Sequence, residues 1–187
     1  VAASAGTLPW KTIGRAAWGS TNRASPVAGE AAAAGDVVSI AAGTYSTVGQ
    51  DDRFTVAYQP ANAGTSGNLI TFQANGTVNL TYSSGAGPVI GARNLSYIKW
   101  KGFTINVTTC PSETVDVDDS MVCFQSDTET HTGCVLDSCT LIGGTATYSG
   151  NWSGVRIEGH SGTLVRNCAI SNWVDQGSNG AGITIYW

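Results

Sequence analysis

Arg156, Glu158 and His160 recur at every second position near the end of the chain. In an extended strand this spacing puts Arg156 and Glu158 on one face and Val155 and Ile157 on the other, with His160 just past the strand end. A base beside a cation is what proton removal next to a carboxylate requires. The base takes the proton, and the cation steadies the enolate-like charge that develops. Arg156, His160 and Arg166 are the expected catalytic set for such an elimination, with Glu158 as an orienting or metal-binding group. The same spacing also fits outward side chains in water.

Two further groups have residue types suited to chemistry. Glu113, Asp116, Asp118 and Asp119 lie between Cys110 and Cys123, and this density of hard oxygen ligands is what Ca2+ takes. The set lacks EF-hand spacing, so a solvated acidic loop is the competing reading. Cys110 and Cys123 flank that loop and are placed to close it by a disulfide. Trp152, Trp173 and Tyr186 are the expected carbohydrate-binding residues, because aromatic faces stack on sugar rings. Capping a core with aromatic residues is the other use of such side chains.

The elements that must position these groups are visible in a near-repeat. His131-Thr-Gly-Cys-Val-Leu-Asp-Ser-Cys-Thr-Leu141 reads again as His160-Ser-Gly-Thr-Leu-Val-Arg-Asn-Cys-Ala-Ile170. Trp100-Lys-Gly-Phe-Thr-Ile105 fits over both, and Gly154–Glu158 fits over Gly182–Tyr186. A period of this size marks a solenoid or propeller, in which each repeat is one supersecondary unit. Short β-prone runs such as 37–40, 54–58, 68–72, 78–82, 88–90 and 97–101, separated by Gly, Asn and Ser, predict an all-β chain. Stacking the repeats predicts inward ladders Phe103–Cys139–Cys168 and Ile105–Leu141–Ile170, with Gly102, Ser138 and Asn167 at a shared turn. Lys101, Asp137 and Arg166 then stack outward. They read either as a charged groove for an acidic sugar or as an ion-pair ladder between rungs. The chain's last strand, 183–187, reads as the start of another rung. The expectation is an end that stays open unless further rungs or a partner cover it.

Composition excludes several classes. The 187 residues carry a net charge of −4 and only 12% charged residues, which argues against nucleic acid, a ligand that calls for a basic stripe. No apolar run approaches the ~18 residues of a membrane span. Six Trp and six Tyr argue against disorder.

Pro9-Trp-Lys-Thr-Ile-Gly-Arg-Ala-Ala17, followed by Ala34-Gly-Asp-Val-Val-Ser-Ile-Ala-Ala-Gly-Thr-Tyr45, resembles the N-terminal helical cap and first strand of secreted β-helix proteins. Tyr97-Ile-Lys-Trp-Lys-Gly-Phe-Thr-Ile105 resembles one of their rungs. The chain is similar on these stretches to the pectate-lyase-like superfamily. That resemblance implies a single-stranded right-handed parallel β-helix, with residues 1–36 as a cap and 37–187 as rungs. It also implies an extracellular or virion-surface domain that recognises, or degrades, a polysaccharide or surface glycan. An elimination fits better than a hydrolysis. Gly159-His160-Ser161-Gly162 and Arg156-Ile157-Glu158 match polygalacturonase motifs poorly: their order is reversed, and Glu158 stands where a basic residue is needed. The alternative is a structural or adhesive module without chemistry, such as part of a phage fibre, that forms homo-oligomers or binds a virion partner.

Overall fold

A computed structural model describes residues 12–48, 55–84, 87–106, 119–143, 152–172 and 181–186. Helix α1 (Ile13–Trp18) opens this part of the chain. The Thr12 hydroxyl accepts a 3.0 Å bond from the Arg15 amide, and Gly19 ends the helix at φ 68°. Both are the expected chemistry of helix ends. Ile13, Ala16 and Ala17 are buried, as their helical spacing predicts; Trp10 lies outside the described residues. A second helical turn expected over 28–34 is only a 3-10 turn, Ala28–Glu30. Ala31 is already extended, and the Ala33 amide donates to the Asp36 carboxylate instead of continuing a helix.

Eleven strands follow among the described residues: β1 (Val37–Val48), β2 (Ile70–Ser84), β3 (Ile90–Arg93), β4 (Ile98–Asn106), β5 (Asp119–Gln125), β6 (Val135–Asp137), β7 (Thr140–Ile142), β8 (Trp152–Glu158), β9 (Leu164–Arg166), β10 (Ala169–Ser171) and β11 (Ala181–Tyr186). All pairings between them are parallel. The first sheet runs β1-β2-β4-β6-β9, and β7 and β10 extend the second half of β4. The second sheet runs β3-β5-β8-β11. From β2 on, the chain passes back and forth between the two sheets, leaving the first for β3, β5, β8 and β11 in turn, which makes it a parallel β-solenoid with a short N-terminal helix.

The strand runs at 68–72 and 78–82 are one strand, β2, which bends at a register shift between Gln73 and Val78. The run at 54–58 forms no strand over its described residues. Even so, the Ala57 and Tyr58 amides donate to the Pro88 and Val89 carbonyls at 2.8 and 2.9 Å, so it lies against the second sheet.

The inward ladders hold the register that the repeat predicts. Phe72 pairs with Trp100, Trp100 with Leu136, and Leu136 with Val165. Leu80, Ile105, Leu141 and Ile170 form a second ladder. The Phe72 and Trp100 rings stack with centroids 4.3 Å apart, and Phe103 meets Trp100 edge-on at 5.9 Å. The indole N–H of Trp100 donates to the Gly91 carbonyl at 3.0 Å, so this buried aromatic ring leaves no unmet donor. Between the two ladders the chain turns at Gly102 (φ 81°), Ser138 (φ 56°) and Asn167 (φ 54°). This is left-handed backbone, which Gly and short polar residues enter most easily.

Candidate functional site

The outer face of the first sheet carries two straight rows of side chains. One is Val37, Thr71, Lys99, Val135 and Leu164; the other is Ser39, Gln73, Lys101, Asp137 and Arg166. Neighbours in a row stand one strand spacing apart, about 4.8 Å, so each row is about 19 Å long. Along the first row lies an open groove of about 430 Å³, lined by Thr71, Lys99, Val135, Leu164 and Arg166 and walled on one side by the loop at Asn68.

Asp137 organises the charges beside this groove. Its Oδ2 lies 2.9 Å from Lys99 Nζ and 2.9 Å from Arg166 Nη2. Oδ1 accepts from the Ser138 hydroxyl at 3.0 Å and the Asn167 amide at 3.3 Å. The Arg166 and Lys99 bonds hold the Asp137 carboxyl well below the usual carboxylate range, and Asp137 in turn raises the Arg166 guanidinium. The expected stack of Lys101, Asp137 and Arg166 is therefore in register. The ion pair to β4, however, comes from Lys99, two residues back along the strand on the diagonal. Lys101 makes no ion pair among the described residues. With Lys99, Lys101 and Arg166 against Asp137, the face has a formal surplus of positive charge on a chain whose net charge is −4.

The structure divides the expected catalytic set. Arg156 and Glu158 are together on β8 in the second sheet, where Arg156 Nε and Nη2 donate to Glu158 Oε2 at 2.8 and 2.6 Å. The Arg156 guanidinium also lies over the Tyr186 ring, 4.3 Å from its centroid. This is an attractive cation–π contact. Arg156 is 3% exposed, covered where an outward, solvated side chain was one expectation. Arg166 is on the first sheet with Asp137, apart from that pair.

His160 lies at the corner before β9 and is 1% exposed. Its Nε2 is 3.0 Å from the Leu95 carbonyl, an acceptor only, so Nε2 carries the proton. Nδ1 then accepts from the Thr163 hydroxyl at 2.9 Å. Burial lowers its pKa, which favours the neutral ring. His131 stacks one rung below, as the Thr132–Ser161 bridge shows, with Nδ1 2.9 Å from the Ser126 hydroxyl. Both His160 nitrogens are thus engaged, Nε2 with an earlier rung and Nδ1 within its own corner.

Of the aromatic residues expected to bind sugar, Tyr186 is 37% exposed beside Arg156. Trp173 and the side chain of Trp152 lie outside the described residues. So do Glu113, Asp116, Asp118 and the side chain of Asp119, the expected Ca2+ ligands, and Cys110 of the expected disulfide. Among the described residues, no three His, Cys, Asp or Glu side chains are grouped to hold a metal ion, and no helix is long and apolar enough to cross a membrane.

Lys99 and Asn68 are among the groove residues that the motifs did not single out. Lys99 had a signal, since it shares a strand face with Lys101 two positions away. Comparison with protein-family models, curated proteins and solved structures returned no match for this chain.

Proposed function

We propose that this chain is a β-helix domain of the pectate-lyase-like kind that recognises an acidic polysaccharide along the outer face of its first sheet. The observation that carries the reading is the groove itself. It runs across successive rungs, has apolar side chains at Val135 and Leu164, and has the Lys99 ammonium and Arg166 guanidinium at its edge. A repeating anionic chain matches a repeating row of side chains with a surplus of positive charge. Binding without cleavage is the better match, because Arg156 is tied to Glu158 and His160 has both nitrogens occupied. The low content of charged residues and the many Ser, Thr and Asn support a place on a cell or virion surface.

Affinity electrophoresis in gels containing polygalacturonate, alginate or neutral dextran tests this reading. The acidic gels should retard the protein, dextran should not, and salt should abolish the retardation. Absorbance from unsaturated sugar ends should not rise. Equal mobility in all three gels would overturn the proposal.

A structural or adhesive module is the second reading. It is favoured by Ile183 and Ile185, whose inward-facing equivalents on β8, Val155 and Ile157, are buried, while they themselves are 43% and 53% exposed. That apolar edge suits packing against another copy, a partner or further rungs. Sedimentation velocity should then show an oligomer that Ile185→Ser disperses, and a wild-type monomer would count against this reading.

A further inference from the structure

Cys139 and Cys168 are the inward residues that follow the shared corner on consecutive rungs. Ala169 pairs with Thr140, so Cys168 stands beside Cys139 on the neighbouring parallel strand, and the Ala169 amide donates to the Cys139 carbonyl at 3.0 Å. Their sulfurs have matching surroundings. Cys139 Sγ is 3.5 Å from the Asp137 carbonyl and 3.9 Å from that of Trp100, while Cys168 Sγ is 3.2 Å from the Arg166 carbonyl and 3.8 Å from that of Leu136. Both are free thiols. Exposure is what distinguishes them. Cys139 is 1% exposed, while Cys168 is partly exposed, because β10 pairs with β7 alone among the described residues.

We propose that Cys139 and Cys168 form a reversible thiol–disulfide site, oxidised across the rungs by low-molecular-weight disulfides. In-register neighbours have Cα atoms about 4.8 Å apart, within the ~4.4–6.8 Å that a disulfide spans. Their parallel Cα–Cβ bonds keep the Cβ atoms at about that same spacing, somewhat beyond the ~3.5–4.5 Å of a relaxed bridge. Closing the bond draws two rungs together, which makes it easier to reduce than a structural disulfide.

The chemistry proceeds in two exchanges. The Cys168 thiolate attacks one sulfur of the small disulfide and releases the other half as a thiolate. Cys139 then gives up its proton and attacks the Cys168 sulfur of the mixed disulfide, releasing the second half. Two protein thiols are oxidised by two electrons, and one small disulfide is reduced to two thiols. The order of attack follows from access and ionisation. A hydrogen bond to Cys168 and burial hold the Cys139 thiol up, while the bond from Cys139 lowers Cys168 below the usual thiol range. The thiolate is the nucleophile in such exchange.

The test is incubation of the folded chain with oxidised glutathione at neutral pH, followed by peptide mapping without reduction. The expected product links the peptides that carry Cys139 and Cys168, and dithiothreitol reverses it. Cys139→Ala should instead accumulate glutathione on Cys168, and Cys168→Ser should leave Cys139 unmodified. Iodoacetamide should alkylate Cys168 about ten-fold or more faster than Cys139. Circular dichroism identifies a variant that has not folded, and the wild-type map decides the matter without the variants. Unlinked peptides in the oxidised wild-type chain, or a lasting glutathione adduct on Cys168 while Cys139 is present, would overturn the proposal.

Discussion

Arg166 reaches back one rung to place its Nη2 2.9 Å from Asp137 Oδ2, joining residues 29 positions apart in the chain. With Lys99 on the other side, the Asp137 carboxylate, only 6% exposed, links three consecutive strands of the first sheet. Its pKa lies below the ordinary value in the folded chain. The unfolded chain therefore binds the proton more readily as the pH falls. The stabilisation is whole above the ordinary Asp value of about 3.9 and drains away below it. Asp137→Asn should cost about 1–3 kcal/mol at neutral pH, the usual worth of hydrogen bonds to a charged group, and should flatten the acid limb of stability. Urea midpoints measured from pH 6 downward check both. An Asp137→Asn chain as stable as wild type at neutral pH would contradict this account.

His160 predicts a separate step at higher pH. Burial lowers its pKa in the folded chain, so the unfolded chain takes up this proton first. Stability from His160 is complete above the ordinary His value of about 6.5 and is lost as the pH falls through the lower, folded value. His160→Leu removes the step, and it leaves the Leu95 carbonyl without its 3.0 Å donor, at a cost of about 1–3 kcal/mol. A pH titration of the imidazole protons by two-dimensional NMR should place the His160 midpoint below the ordinary value of about 6.5, and a midpoint at or above it would exclude this reading.

The repeat made the inward ladders legible because an apolar residue recurs wherever a rung turns its face to the core. Phe103, Cys139 and Cys168 were placed this way, and so was their corner, since Gly102, Ser138 and Asn167 are residue types that accept left-handed backbone. The same pattern could not place Lys99. Alternation tells which face a side chain takes, whereas the Lys99–Asp137 pair is diagonal and depends on side-chain reach. Nor could it foresee the burial of His160, whose partner carbonyl on Leu95 is 65 residues away in sequence. The tie between Arg156 and Tyr186 crosses from β8 to β11 and needed the register of the second sheet.

Gly91 tests how closely the rungs of the second sheet approach. A Cβ built there would lie 1.9 Å from the Cys123 carbonyl oxygen, a backbone atom that cannot step aside, and φ is 152°. Gly91→Ala must push β3 from β5 and disturb the Gly91 carbonyl that Trp100 binds. A loss of about 3 kcal/mol or more is expected, beyond ordinary overpacking. Gly29 is the control, because a Cβ there meets nothing within 4 Å. Gly29→Ala should stay within about 0.5 kcal/mol of wild type. Equal urea midpoints for the two variants would mean that the second sheet is more loosely stacked than described.

Lys101 separates binding from folding on the outer face. Arg166 and Lys99 both pair with Asp137, so replacing either one changes stability and charge together. Lys101 shares their face, stacks in the Asp137 row, and has no ion pair there among the described residues. Lys101→Glu reverses one charge, cancels the formal positive surplus of that face, and should lower stability by no more than about 1 kcal/mol, the cost of a carboxylate opposite Asp137. An exposed charge contributes up to about 1 kcal/mol to such a contact, so affinity for an acidic polysaccharide should fall about three- to ten-fold at low salt. The gap should narrow as salt is added, since screening removes what the charge supplied. Unchanged retardation of Lys101→Glu in polygalacturonate gels, with the fold intact, would move the binding surface off the first sheet.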